Sequence, residues 1–567
     1  MTVRPTMLPL TVVLLLSVLS CAPSAKATTP AATTPAATTR PSATRTGADA
    51  DPIRAAAALI TGDDLARDAG YLASDALRGR ATVDGQMRVT PGMDSAAAYI
   101  SRRLAQLGVQ PAGDNGTYLR HYTLRRLVLD TGKTAGTIRN QPLLYGRDFV
   151  ATGFNEPGVH EGQIVYVRQG IAIPAKGIDP YRGLDVRGKW LLVHAVPPAT
   201  RRTYGRYIAD FTDVAEEARS RGAAGILTIG TAQQLNAARG RAPQVRDIVP
   251  TAGRSYAPYP LPNLMLSEAA VARLLEGERV SGADLLRADG TADLPASFAL
   301  RPDARLRVDI VASETSARPF NVVGIIPGAD AAMRNQYVSV ASHLDGAVGN
   351  RSADGDSIYN AADDNASGSA GNLAIAKALM GAPRARRPIM LIWDSGEETG
   401  LWGSRSLAYS NTGDSIAAHF NVDMIGRSNP AGSDATGDDA LSGPGEVFIA
   451  GPRVLSPHLM AITERVERDF GFIAFDRQFD VADNQFFYPR TDASPFFERG
   501  IPFIEFFTGL HGDYHGLKDE ASKLDPGKME AVSRAAFATI WSVANDPMTP
   551  RIENDLPGWL RFITPRR

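Results

Sequence analysis

Five short runs carry the side chains that could do chemistry. His343-Leu344-Asp345 closes one apolar stretch, and Ala362-Asp363-Asp364-Asn365-Ala366-Ser367-Gly368 precedes a helical one. Trp393-Asp394-Ser395-Gly396-Glu397-Glu398 follows the apolar Ile389-Met390-Leu391-Ile392. Asn421-Val422-Asp423-Met424-Ile425-Gly426 and Tyr514-His515 come later. In order, the runs supply His, Asp, Glu-Glu, Asp and His, each at or near the end of a strand-like segment. Such a set can hold two divalent metals about 3.5–4 Å apart through a bridging carboxylate, leaving one carboxylate free as a base. Imidazole and carboxylate without thiolate fit zinc and tolerate cobalt or manganese.

Each residue alone has a plainer role. A histidine at a strand end, such as His343, is more often structural than a ligand. Asp345, two residues on, could orient its imidazole. Asp364 sits before a helix and could be an N-cap, with Asp363 and Asn365 competing for the position. Asp423 could be an ordinary strand-end carboxylate. His515 lies in a polar loop where His511 is an equal candidate by composition. What joins them is that one demand, a two-metal site, accounts for all. The helical His-Glu-x-x-His pattern is absent, and so is a Gly-x-Ser-x-Gly elbow.

The elements that must hold these residues alternate. Strands are expected at 320–326, 337–341, 389–393, 419–422, 447–450 and 503–506, and helices at 366–380, 457–470 and 526–545. That alternation predicts an α/β fold with a mostly parallel sheet flanked by helices, whose ligands gather at the carboxyl ends of the strands. Residues 63–74 and 93–107 also have helical spacing, and Gly108 stops the second. From about 144 to 300 the texture changes to short strands such as Gln163–Val167 and Lys189–Val193 between Gly and Pro turns, without a cluster of His, Asp and Glu.

Composition is that of a globular protein, with 44% hydrophobic and 21% charged residues over 567 positions, long enough for more than one domain. A net charge of -1 offers nothing to nucleic acid. Cys21 is the one cysteine, so an internal disulfide and a thiolate zinc site are both excluded. Arg4 precedes an apolar run from Met7 to Leu19, too short to span a bilayer and typical of an export signal. That run ends at Val18-Leu19-Ser20-Cys21, which resembles a bacterial lipobox. Residues 22–50 are mostly Ala, Thr, Pro and Ser with nothing to bury, as expected of a disordered tether.

The five runs resemble, in order, the motifs of the M28 metallopeptidases, the co-catalytic dizinc aminopeptidases. The stretches Tyr71–Arg80 and Pro111–Tyr118 look like the longer members, and 144–300 is similar to their inserted protease-associated (PA) domain. The resemblance implies a zinc-dependent exopeptidase fold with a mainly-β insertion. Its divisions would be a signal peptide with a lipobox-like end (1–21), a tether (22–50), the first part of the peptidase domain (51–143), the insertion (144–300), the catalytic domain (301–549) and a tail (550–567).

It also implies roles. Asp364 would bridge two metal ions, His343 and Asp423 would hold one, and Glu398 and His515 the other. Glu397 would be the general base, and Tyr514 would stabilise the oxyanion. His515 is favoured over His511 by its preceding Tyr and the following Asp519. Gly516-Leu517 replaces the family's usual Thr-Pro, and Ala493 stands where a His is frequent. Both departures fall on the substrate-pocket walls. The implied activity is hydrolysis of peptides at a free N-terminus by an exported bacterial enzyme, periplasmic or held to a membrane only through lipid on Cys21. The alternatives are a carboxypeptidase of the same family, for which no Arg cluster is evident, and a non-catalytic surface protein displaying its PA domain.

Lipidation of Cys21 is open to a direct test. Cys21→Ser should move the protein from the membrane fraction to the soluble fraction while its specific activity is unchanged. Retention of the variant in the membrane fraction counts against a lipid anchor.

Overall fold

The computed structural model describes residues 50–153, 156–172, 177–194, 214–239, 245–250, 261–287, 294–347, 349, 352–353, 355–429, 441–482, 487–556 and 560. The export signal, Cys21, nearly all of the tether and most of the C-terminal tail lie outside these residues.

Nine strands make the central sheet: β1 (Gln110–Pro111), β2 (Leu119–His121), β3 (Phe320–Ile326), β4 (Tyr337–His343), β5 (Ile389–Asp394), β6 (Ile416–Val422), β7 (Glu446–Ala450), β8 (Ala474–Asp476) and β9 (Phe503–Phe507). Across the sheet they run β1-β3-β5-β4-β6-β9-β7-β8, with β2 also on β3. The middle four, β5, β4, β6 and β9, are parallel. On either side, β3 and β7 run antiparallel to their inner neighbours, so the sheet is mixed toward its edges.

The parallel centre is buried on both faces, which is why its strands read as unbroken apolar runs. In β5, Leu391 and Trp393 face one core and Met390 and Ile392 the other. The first core takes the helices α1 (Gly62–Leu72), α2 (Pro91–Leu107), α3 (Gly368–Gly381), α4 (Pro457–Phe470) and α5 (Pro526–Asn545). The second core holds Leu407, Tyr409 and Phe496. Helix starts are written in the sequence. Thr90, Ser456 and Asp525 each cap a backbone N–H, and a proline follows at the first helical position.

After β4 the chain places β5 on one side of it and β6 on the other. The crossovers leave in opposite directions, and a crevice forms at the carboxyl ends. Register sets those ends level. His343 pairs with Asp394, and Ala341 pairs with Asn421, so His343 and Asp423 lie abreast.

A second nine-stranded sheet runs Gln141–Leu144, Ala135–Ile138, Arg305–Ile310, Gly158–Tyr166, Trp190–His194, Gly225–Ile229, Asn263–Leu266, Phe149–Gly153, with Phe298–Ala299 on Gly158–Tyr166. It extends past 144–300 at both ends because Arg305–Ile310 returns between Ala135–Ile138 and Gly158–Tyr166. A three-stranded ribbon (Val245–Ile248, Leu124–Leu129, Ala312–Ala317) was not foreseen from sequence. Leu124 and Ala317 pack with Tyr122 and Trp402, just beyond the paired glutamates.

One glycine matters for how α3 meets the sheet. A Cβ on Gly368 would lie 2.3 Å from Val422 O and 2.3 Å from Asn365 Oδ1. Gly368→Ala should therefore push α3 off the end of β6 and cost about 1–3 kcal/mol, as overpacking does. The check is the midpoint of denaturant unfolding, and an unshifted midpoint contradicts the close approach.

Candidate metal centre

Asp364 is the hub of the crevice. Its Oδ1 lies 3.1 Å from His343 Nε2, and its Oδ2 lies 3.1 Å from His515 Nε2. His343 Nε2 is also 3.2 Å from Asp423 Oδ1, and His515 Nε2 is 2.9 Å from Glu398 Oε2. Two donor triads result, His343/Asp364/Asp423 and Asp364/Glu398/His515, each with its donor atoms within 4.8 Å of one another. Glu397 lies against the first histidine in a third group with Glu398. All five expected ligands and the expected base thus meet in one place.

Each is held by its strand end. Asp345 was expected to steady the imidazole of His343 with its carboxylate, and it does so with its backbone carbonyl, 3.0 Å from Nδ1. The carboxylate stands 4.0 Å from that nitrogen and instead accepts the N–H groups of Gly396 (2.8 Å) and Glu397 (3.2 Å). The reason is the turn after β5, where Gly396 adopts φ 77° and directs two successive amides at one acceptor. Tyr122 braces the same turn, its hydroxyl donating to Ser395 O at 3.1 Å.

The turn that carries Asp364 is tied down on all sides. Asp519 accepts from the backbone N–H of Asp363 and Asp364. Asp363 Oδ1 accepts from Gly426 N, while its Oδ2 lies 3.2 Å from His511 Nε2. Asn365 Oδ1 accepts from Gly368 N and Met424 N, and its Nδ2 donates to Val422 O. So Asp363 and Asn365 lock the turn to the loop after β6, and His511 lies against Asp363 rather than against the triads.

Sequence reasoning missed Arg80. It is buried, and its guanidinium donates to Leu344 O (2.9 Å), Asn360 O (2.9 Å), Ala361 O (2.8 Å) and Leu72 O. One side chain thereby joins the loop after His343 to the segment before Asp364. Its presence in the Tyr71–Arg80 run was the only signal.

The electrostatics ask for a cation. Burial raises the carboxyls of Glu397 and Asp423 above the usual range, and it raises Glu398 to about 7 with help from the Asp364 charge. Burial opposes charge on the imidazoles too, yet the surrounding carboxylates win. Asp423 and Asp364 raise His343 well above its ordinary value, and Asp364 and Glu398 push His515 up to about 10. Glu398 Oε1 is buried without a hydrogen-bond partner among the described residues. Four carboxylates and two imidazoles converge with one acceptor still open, a donor set that fits divalent metal. Tyr514 stacks on His515, ring centroids 3.8 Å apart, beside the same crevice.

Residues 321–540 match the family model described as Peptidase family M28. Among solved structures the chain is similar to an aminopeptidase from Aneurinibacillus sp. strain AM-1, at 17% identity over 89% of this chain and 99% of that one, with a TM-score of 0.44. It is similar to a zinc aminopeptidase from Bacillus subtilis, at 15% identity over 87% and 99% with a TM-score of 0.40. A peptidase M28 precursor from Shewanella amazonensis SB2B gives 16% identity over 90% and 100%, with a TM-score of 0.39.

Metal uptake should release protons. Without metal, His515 titrates near 10 and His343 above its ordinary value, so both are protonated at pH 7, whereas metal ligands must be neutral imidazoles. Glu398, near 7, sheds the fraction it holds. Zinc titrated by calorimetry in two buffers of different ionisation enthalpy should show net proton release at pH 7 and affinity that weakens as pH falls. Proton uptake, or affinity independent of pH, contradicts the site.

Proposed function

We propose that this chain, which over residues 321–540 belongs to peptidase family M28, is an exported metallo-aminopeptidase that removes residues from peptides with a free N-terminus using two zinc ions. The observation that carries the reading is the carboxylate of Asp364, one oxygen toward His343 and the other toward His515. That division supports a bridging role, with Asp423 completing one set and Glu398 the other. Bound there, the two cations supply Lewis acidity, polarising the scissile carbonyl and lowering the pKa of the attacking water.

The chain's own residues do the rest. Glu397 takes the proton of the attacking water and delivers it to the departing amine. Its carboxyl, raised by burial and by the neighbouring Glu398, suits a group that must first accept a proton and then hold it. The Asp345 carboxylate fixes the backbone of Gly396 and Glu397 and so aims the base. The hydroxyl of Tyr514, whose ionisation is pushed up by burial and by Asp364 and Glu398, stays protonated and donates to the developing oxyanion. Among the described residues, every group of His, Asp and Glu able to hold a metal lies at this crevice, which supports a non-catalytic role for the second sheet as a PA-type insertion. The apolar run ending at Cys21 supports export with a lipid anchor.

The adjacent glutamates separate base from ligand. Glu397→Gln cannot accept the water's proton, so turnover of aminoacyl p-nitroanilides should fall about 10²–10⁴-fold with both zinc ions retained. Glu398→Gln replaces an anionic donor by a neutral one, so it should lose one zinc and regain part of its activity in excess metal. N-acetylated substrates should be resistant in the wild type. Metal content and turnover of the two variants decide the matter, and a metal-poor Glu397→Gln would reverse the assignment.

A further inference from the structure

The crevice continues into a small pocket that is partly open to solvent. Asp364, Glu397, Asp423 and Tyr514 border it on the side of the candidate metal centre. Met424, Phe507 and Leu510 supply apolar walls, Arg490 is exposed at the rim, and Glu505 and Thr491 complete the lining.

Glu505 is out of place by ordinary rules. It is the only charged residue of β9, in the run Phe503-Ile504-Glu505-Phe506-Phe507, and is 1% exposed. It pairs in register with Asn421, two residues before Asp423, so its carboxyl lies along the same strand edge as the metal centre. Asn421 Nδ2 donates to Oε1 at 2.8 Å, and Thr491 Oγ1 donates to Oε2 at 3.1 Å. Each oxygen then has acceptor capacity left. Asn421 Oδ1, fully buried beside it, has no hydrogen-bond partner among the described residues. At this point of the pocket wall, acceptor atoms of Glu505 and Asn421 lie side by side. Burial, with Asp423 and Asp492 nearby, raises the Glu505 carboxyl well above its usual range, a cost that a cation brought by a ligand relieves.

We propose that this pocket receives the side chain of the substrate's N-terminal residue and selects lysine or arginine, with Glu505 as the specificity-determining residue. Met424, Phe507 and Leu510 clad the aliphatic stem, and the ammonium or guanidinium donates to Glu505. The proposal rests on the aminopeptidase reading for its placement of the substrate.

The test compares L-lysine amide with L-norleucine amide, which has the same stem without the ammonium, by calorimetry on the zinc-loaded full chain. Turnover of Lys-, Arg-, Leu- and Glu-p-nitroanilides is measured alongside. Lysine amide should bind more tightly than norleucine amide. Glu505→Leu and Glu505→Gln should lower the Lys-to-Leu ratio of kcat/KM on the order of 10²-fold, as expected when one partner of a buried charge pair is truncated. The ratio is internal to each variant, so a partial loss of folded protein cancels. Equal binding of the two amides, an unchanged ratio in both variants, or a wild-type preference for Glu-p-nitroanilide set by Arg490 overturns the proposal. Preferential lysine amide binding without hydrolysis of any p-nitroanilide supports the pocket and rejects the aminopeptidase reading instead.

Discussion

The structure is organised around one carboxylate that answers to two histidines. Asp364 can face both His343 and His515 only if two distant loops stay within a few ångströms of its two oxygens. Much of the surrounding architecture serves that requirement. The register of β4, β5 and β6 sets His343, the Glu397 turn and Asp423 abreast. The turn before α3 is fastened to the loop after β6 by Asp363, Asn365 and Ser367. Asp519 and Arg80 complete the clamp from the C-terminal and N-terminal ends of the fold.

Concentrating acids in a buried crevice is expensive, because each charge loses water and repels its neighbours. The protein offsets part of this locally. Asp345 and Asp519 each accept two backbone N–H groups, and Arg80 lies within the field of Asp345, Asp519, Asp364 and Glu398. No lysine or arginine reaches the triads themselves among the described ion pairs; only His343 and His515 do. The remaining imbalance is the driving force for metal. The same logic recurs beyond Asp423, where the hydrogen-bond donors to Glu505 among the described residues, Asn421 and Thr491, are both neutral.

Much of this was legible before the fold was known. The strands and helices that carry the site are long, apolar and periodic, and helices 457–470 and 526–545 fall where their caps and prolines put them. The edge strands Gln110–Pro111 and Leu119–His121 and the ribbon of Leu124–Leu129 were not legible. They are short or half exposed, and their pairing with β3 and with Ala312–Ala317 spans long stretches of chain. Likewise, the second sheet closes through Arg305–Ile310, which follows the change of texture used to bound it.

Residue type and strand-end position, both local properties, put forward His343, Glu397, Glu398 and Asp423 and left Asp363 beside Asp364 and His511 beside His515, between which only the resemblance to the M28 motifs chose. Hydrogen bonding across the fold decided the rest. Asp345 sends its carboxylate to the Glu397 turn because the parallel register brings that turn to it. His511 and His515, equal by composition, part ways because one backs onto Asp363 and the other onto Asp364 and Glu398. Arg80 reaches Leu344 across 264 positions. No periodicity encodes such partners, since each depends on how two separately formed elements come to lie against one another.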